Sequence, residues 1–66
     1  MEVQMTADQF RQWRKKHNFS QKECAEKLGY KYRSSISQIE TGHLSVTKKV
    51  ELLMQFIDFN SQHKRF

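Results

Sequence analysis

The same helix-start pattern occurs twice within the first 23 residues of this chain. Thr6 is followed three positions later by Gln9, and Ser20 is followed at the same spacing by Glu23. In this capping box each side chain hydrogen-bonds the backbone N–H of the other residue, which satisfies donors that the first helical turn leaves unpaired. The pattern therefore predicts two helices, each starting one residue after its cap. An apolar pair also brackets each start at the spacing of a hydrophobic staple: Met5 with Phe10, and Phe19 with Cys24.

Two glycines and the absence of proline indicate where the helices end. Gly29 and Gly42 are the only glycines in the 66 residues, and glycine often closes a helix in the left-handed conformation. We expect a second helix over residues 21–28 and a third that ends at Gly42. The third helix is expected to start near Arg33, because the alternative start, a capping box at Ser35, leaves less than two turns.

The last helix is the longest, at about residues 46–60, with Ser45 or Thr47 as its cap. Its apolar residues form two stripes that lie about 130° apart when each residue advances the helix by about 100°. One stripe is expected to face the core. The other is either buried as well or forms a surface for a partner. The first stripe comprises Val46, Val50, Leu53 and Ile57, and the second comprises Leu52, Phe56 and Phe59.

Size and composition argue against several classes of protein. A 66-residue chain buries only about 60% of its unfolded surface, too little for the walled cleft of most enzymes, so no catalytic activity is expected. A single cysteine excludes an intramolecular disulfide. His17, Cys24 and His43 lack the close spacing of a zinc site, and neither a metal nor another cofactor is expected. The chain has no apolar run of about 18 residues and no signal sequence, so the protein is expected to be soluble and cytoplasmic.

Two short helices joined by a glycine-containing turn, in a chain of net charge +5, outline a helix-turn-helix. The stretch over residues 13–42, WRKKHNFSQKECAEKLGYKYRSSISQIETG, resembles the Cro and lambda-repressor type of helix-turn-helix family, also called the XRE family. The order and spacing of its motifs leave few competing families. These motifs are FSQ at residues 19–21, Ala25 followed by Leu28 and Gly29, and ISQIETG at residues 36–42.

The resemblance implies an all-α, lambda-repressor-like DNA-binding domain. The chain is expected to form one compact domain over residues 1–66, with four helices or alternatively five, and with the helix-turn-helix at residues 20–42. In the family, the second helix braces the third, and the third lies in the DNA major groove. The resemblance assigns Ala25 to the close approach of these two helices and Gly29 to the turn between them.

Residues 33–41 correspond to the recognition helix in this resemblance. With Ile36 taken as the inward direction, helical geometry places a small, polar face outward. Gln38 is suited to pair with adenine N6 and N7, and Arg33 with guanine O6 and N7. The alternative is that a serine only caps the helix and that the arginine contacts only phosphate. The expected base-reading residues are Arg33, Ser34, Ser37, Gln38 and Thr41.

A second set of residues is expected to contact phosphates. Gln21 stands at the start of the second helix, where the family commonly contacts the DNA backbone with the help of exposed N–H groups. Basic residues near the same edge in the family plan can neutralise further phosphates. The alternative for the lysines is that they serve solubility alone. The expected phosphate-binding residues are Gln21, Lys22, Lys31, His43, Lys48 and Lys49.

The resemblance gives Arg14 and Glu40 a structural role. In the family, the arginine of the first helix and the glutamate that ends the third form an internal ion pair. Both residues are therefore expected to stabilise the fold rather than to contact DNA.

The chain departs from the family pattern in two places. Six residues, YKYRSS, separate Gly29 from Ile36 where the family usually has five, so the start of the recognition helix can shift by one position. The extra space is filled by Tyr30, Tyr32 or Lys31, and a tyrosine there either packs its ring on the core, as expected for Tyr30, or contacts phosphate. The second departure is a C-terminus too short for the fifth helix that many relatives use in dimer contacts. Dimerisation is then expected to use Leu52, Phe56 and Phe59.

The combined expectation is a sequence-specific, double-stranded DNA-binding transcription regulator. It is expected to act as a homodimer that blocks a promoter at an inverted-repeat operator, often that of its own gene. Its size is similar to that of stand-alone regulators of phages, plasmids and restriction-modification or anti-CRISPR operons. The alternative is an antitoxin-type module whose second apolar stripe binds another protein, with DNA binding secondary. Neither a membrane nor a small-molecule ligand is expected as a partner.

Overall fold

The computed structural model describes residues 5–62 and contains four helices in that range. No strand and no fifth helix occurs within it, and the all-α fold expected from the sequence is confirmed. Residues 1–4 and 63–66, which the single-domain prediction includes, lie outside the described range. The helices are α1 over Ala7–Lys16, α2 over Gln21–Leu28, α3 over Arg33–Glu40 and α4 over Lys48–Gln62.

Both predicted capping boxes are present. The Thr6 hydroxyl oxygen accepts from the Gln9 N–H at 3.1 Å, and the Gln9 side-chain oxygen accepts from the Thr6 N–H at 3.0 Å. Ser20 and Glu23 make the same reciprocal pair at 3.0 and 2.9 Å. Each box satisfies two donors at a helix start. The predicted starts of α1 and α2 are therefore confirmed.

The turn between α2 and α3 is built on a left-handed glycine. Gly29 has φ +82° and caps α2, and the Tyr30 N–H donates to the Ala25 carbonyl at 2.8 Å. The backbone then extends through Tyr32, which precedes α3 with φ −129° and ψ 145°. No side chain caps this helix, so α3 starts at Arg33 as expected and the alternative of a serine cap is wrong.

The start of α4 lies two residues later than the sequence pattern predicted. The Thr47 hydroxyl oxygen accepts from the Val50 N–H at 3.2 Å, so Thr47 is the cap and not Ser45. Val46 is buried although it precedes the helix. The apolar pattern includes Val46 because this residue packs on the core from the connecting segment. The helix start predicted from that pattern was therefore too early.

The core joins all four helices and its buried residues are all apolar. Ala25 is buried where α2 packs closely against α3, and the small side chain permits that approach. On α4, Met54 is buried, whereas Leu53 and Ile57 of the predicted inward stripe pack only partly against the core. The buried face is thus centred near Val50 and Met54. The core residues are Phe10, Trp13, Cys24, Ala25, Leu28, Ile36, Ile39, Val46, Val50 and Met54.

The second apolar stripe of α4 faces away from the core. Leu52, Phe56 and Phe59 have 54%, 61% and 57% of their surface exposed. The alternative that this small fold buries both stripes is therefore wrong. Their exposure in the single chain leaves three large apolar side chains in contact with solvent on one stripe of α4.

Cys24 provides a pH-dependent probe of the core. Burial raises the pKa of this thiol from 9.0 to about 11, and the nearby Glu40 carboxylate adds to the effect while Arg14 opposes it. The unfolded chain therefore loses the thiol proton first as the pH rises. We expect the free energy of unfolding to be insensitive to this group below about pH 9 and to fall between about pH 9 and 11.

The measurement is urea unfolding of the wild type and of Cys24→Ala at several pH values. Only the wild type should show the Cys24-dependent part of the alkaline loss. Burial, followed by the charge of Cys24, also raises the pKa of Tyr30; the burial contribution is common to both proteins, and the part due to Cys24 belongs to the difference that the comparison measures. Parallel pH profiles for the two proteins would contradict the prediction.

Candidate nucleic-acid interface

The outward face of α3 carries the residues expected to contact bases. Ile36 and Ile39 are 0% and 1% exposed and fasten the helix to the core. Because these two positions point inward, the opposite side of the helix faces solvent. Arg33, Ser34 and Gln38 are exposed, whereas Ser37 is half-buried. The helix thus presents one guanidinium, one hydroxyl and one amide at its open face.

The segment after α3 is fixed by bonds to the Gln38 carbonyl. This oxygen accepts from the His43 N–H at 2.9 Å, the Leu44 N–H at 3.2 Å and the Thr41 hydroxyl at 3.2 Å. The Thr41 oxygen also lies 2.9 Å from His43 Nδ1. Thr41 and His43, both exposed, are therefore held together beside the end of α3. The Thr41 hydroxyl has local partners, which compete with a base contact.

Arg14 and Glu40 form the expected internal ion pair. Arg14 Nε donates to Glu40 Oε2 at 2.5 Å and Nη2 donates to Oε1 at 3.2 Å. Arg14 Nη1 also donates to the Phe19 carbonyl at 2.9 Å. The two side chains are only 13% and 8% exposed. A bidentate pair of this kind is directional as well as charged, so it sets the end of α3 relative to α1 and the loop before α2.

Gln21 belongs to the same network. Its Nε2 donates to Glu40 Oε1 at 3.2 Å, and the residue is half-buried. An amide nitrogen has two hydrogens, so one remains for another acceptor. The phosphate contact expected of Gln21 stays a prediction, and the structure adds a bracing role that the sequence did not indicate.

The cationic candidates surround this helix pair and are all exposed. Lys22 lies in the first turn of α2, and Lys31 lies in the turn before α3. Within residues 5–62, the ion pairs present are Arg14 with Glu40 and His17 with Asp58, and neither pair includes an exposed candidate. These candidates are Lys22, Lys31, His43, Lys48 and Lys49.

A cluster that the sequence did not predict joins α1 to α4. The Trp13 indole N–H donates to Asp58 Oδ1 at 2.9 Å, and His17 Nε2 lies 2.8 Å from the same oxygen. The His17 ring also stacks on Phe19 with centroids 5.4 Å apart. Asp58 is more than 40 residues from its partners in the chain, so no local pattern pointed to it. The cluster is structural and accounts for His17 without a metal.

Two further features are absent from the described residues, a cluster of metal-binding side chains and a membrane-spanning helix. Over residues 5–62, no group of three or more histidine, cysteine, aspartate or glutamate side chains is placed to hold a metal ion. Nor does this part of the chain contain a helix long and apolar enough to cross a membrane.

Comparison with known proteins agrees with the geometry. A family model described as helix-turn-helix matches residues 10–54, which is 45 of the 66 residues. No match was found among curated proteins or among solved structures. The matched segment contains α2, the turn, α3 and the residues that fasten them to α1 and α4. This chain belongs to the helix-turn-helix family of the Cro and lambda-repressor type, the XRE family, and is a DNA-binding transcription regulator.

Proposed function

We propose that the protein binds double-stranded DNA sequence-specifically as a homodimer and represses transcription, including that of its own gene. The observation that carries this proposal is the outward face of α3. Gln38, Ser34 and Arg33 are exposed on a helix whose opposite side is buried at Ile36 and Ile39. A helix fastened in this way presents its polar side chains at fixed positions, as direct base recognition in the major groove requires.

Charge supports the DNA contact but not the choice of sequence. The chain carries 12 lysines and arginines against 7 acidic residues, and exposed lysines and arginines lie at the start of α3 and at the start of α4. Such charges release counterions from any duplex and give salt-dependent, sequence-independent affinity. Sequence preference therefore depends on the small set of side chains on the outward face of α3.

The exposed stripe of α4 supports the homodimer. Leu52 and Phe56 are more than half exposed on one face of the helix, with Phe59 on the same stripe. A two-fold dimer uses one patch on both subunits and buries it against itself. In the helix-turn-helix architecture, a dimer places its two recognition helices about 34 Å apart, which matches half-sites one turn of DNA apart. An inverted repeat follows from that two-fold symmetry.

Repression in this proposal is steric, because a dimer bound across a promoter excludes polymerase. The exposed polar face of α3 and the exposed apolar stripe of α4 support a dimer that blocks an operator in this way. A regulator of a phage, plasmid, restriction-modification or anti-CRISPR operon is the setting we propose for it.

The proposal is tested by fluorescence anisotropy at several salt concentrations. The purified protein is titrated into the duplex that lies upstream of its own gene and into a scrambled duplex of the same composition. We expect a preference of about a thousandfold or more for the upstream duplex. Equal affinity for both duplexes would contradict autoregulation and favour an antitoxin-type module that binds another protein through α4.

Replacing Gln38 with alanine should remove discrimination at one base pair. A bidentate contact to adenine contributes roughly 1 to 3 kcal/mol against the wrong base. Duplexes substituted one position at a time are titrated with both proteins, and the variant should lose preference at a single position in each half-site. A uniform loss on all duplexes would contradict the base contact.

Lys48→Ala is the matched control for a phosphate contact. It should weaken binding to all sequences alike and reduce the slope of log affinity against log salt by about one. Lys48 is exposed at the first position of α4, so the folded state should be unaffected. A sequence-dependent effect of this variant would show that the two roles are assigned the wrong way round.

A further inference from the structure

The two tyrosines in the turn between α2 and α3 occupy different environments. Tyr30 is half-buried and packs against the core, as its sequence position predicted. Tyr32 is 64% exposed. Tyr32 is the residue immediately before α3, yet its side chain makes no capping hydrogen bond to that helix. Tyr30 therefore belongs to the packed side of the turn and Tyr32 to its solvent-exposed side.

Tyr32 lies beside three cationic side chains, with Ala25 and the Tyr30 ring as its apolar neighbours. It lines a shallow depression between the start of α2 and the start of α3, together with Lys22, Lys31 and Arg33. Glu26 contributes one carboxylate to the same depression. Three positive charges against one negative charge favour an anion at this place. The phenolic hydroxyl adds a neutral donor for the same anion.

We propose that Tyr32 contacts the DNA backbone, its hydroxyl donating a hydrogen bond to a phosphate oxygen beside the recognition helix. This inference rests on the proposed function, because it assumes that α3 lies in the major groove of an operator. Tyrosine hydroxyls are among the groups that fix the register of a protein on the duplex through phosphate contacts. Tyr32 thus positions α3 and leaves the choice of sequence to the outward face of that helix.

Tyr32→Phe tests the hydroxyl alone, and Tyr30→Phe is the matched control in the same turn. Loss of a hydrogen bond to a charged oxygen should weaken binding about tenfold or more, equally for the operator and for scrambled DNA. The slope of log affinity against log salt should stay unchanged, since no charge is removed. Tyr30→Phe should bind within about twofold of the wild type, a change too small for a lost charged hydrogen bond.

Two further measurements separate this inference from its alternatives. The thermal unfolding midpoint of Tyr32→Phe should match that of the wild type, because the Tyr32 side chain is exposed. Lys31→Ala should reduce the salt slope by about one, which distinguishes a lost charge from a lost hydroxyl.

The inference is overturned if Tyr32→Phe binds as tightly as the wild type, or if its loss is confined to duplexes altered at one base pair. An equal loss in Tyr30→Phe would also overturn it, because the cause would then be the conformation of the turn. If the wild type binds the operator and Tyr32→Phe binds it equally well, this inference fails alone. If the wild type binds no DNA, the proposed function fails as well.

Discussion

Replacing Glu40 with alanine should destabilise the fold by about 3 to 5 kcal/mol. The substitution removes both oxygens that accept from Arg14, and one of these, Oε1, also accepts from Gln21. The guanidinium, with its side chain only 13% exposed, would remain without its counter-charge. A domain of 66 residues has a total stability of roughly 3 to 10 kcal/mol, so the substitution removes a large part of it and the unfolded fraction at 37 °C should rise.

Urea unfolding followed by circular dichroism measures this effect. Glu26→Ala is the control, since it removes a carboxylate from an exposed position of α2 and should change stability by less than about 1 kcal/mol. The double variant Arg14→Met/Glu40→Leu should be more stable than Glu40→Ala, because it leaves no unpaired charge. A change below about 1 kcal/mol in Glu40→Ala would show that the pair does not hold the fold.

The same variant separates a structural role from a DNA contact. Its apparent operator affinity should fall in step with the loss of folded protein. A stabilising osmolyte should restore both folding and binding. Loss of binding in a fully folded Glu40→Ala would contradict the purely structural role of this pair.

Replacing Phe56 with aspartate should abolish the dimer and weaken binding to the full operator by about a hundredfold to ten-thousandfold. The phenyl ring is 61% exposed in the single chain, so the subunit should still fold. In the proposed dimer, the substitution places two desolvated carboxylates in an apolar interface, where unpaired charge is costly. A monomer engages only one half-site and loses the gain that two linked sites provide.

Sedimentation equilibrium gives the mass of each protein, and anisotropy gives its affinity for full and half operators. Ser61→Asp is the control because it introduces the same charge at an exposed position of α4 that lies on a different face of the helix from the stripe. The half operator should bind wild type and Phe56→Asp alike. A wild type that is monomeric at micromolar concentration and on DNA, or a Phe56→Asp that stays dimeric, would contradict the proposed interface.

Where the predictions from the residues alone were accurate, short-range spacing was the cause. The capping boxes at Thr6 and Ser20 and the left-handed Gly29 act within one turn of the chain, so their effect can be inferred without knowing the fold. The inward positions of Ile36 and Ile39 follow from helical periodicity in the same way. The Arg14–Glu40 pair was expected only through the family resemblance, because it joins residues 26 positions apart.

Where the structure differed, contacts between distant segments decided the outcome. The last helix carries two apolar stripes, and its sequence does not show which residues are most deeply buried. Only the packing of α4 on the other helices places Val50 and Met54 at the centre of the buried face. Val46 packs in the core from the segment before that helix, and Thr47 rather than Ser45 caps it.

Helix positions, the inward face of α3 and the helix-turn-helix type were thus available from local spacing and motifs, since capping and periodicity depend on residues a few positions apart. Tertiary packing alone decided which tyrosine of the turn is exposed. It also decided that Gln21 hydrogen-bonds Glu40 and that Trp13 and His17 share the Asp58 carboxylate. These contacts connect groups far apart in the chain, and their energy depends on burial and geometry that exist only once the helices have assembled.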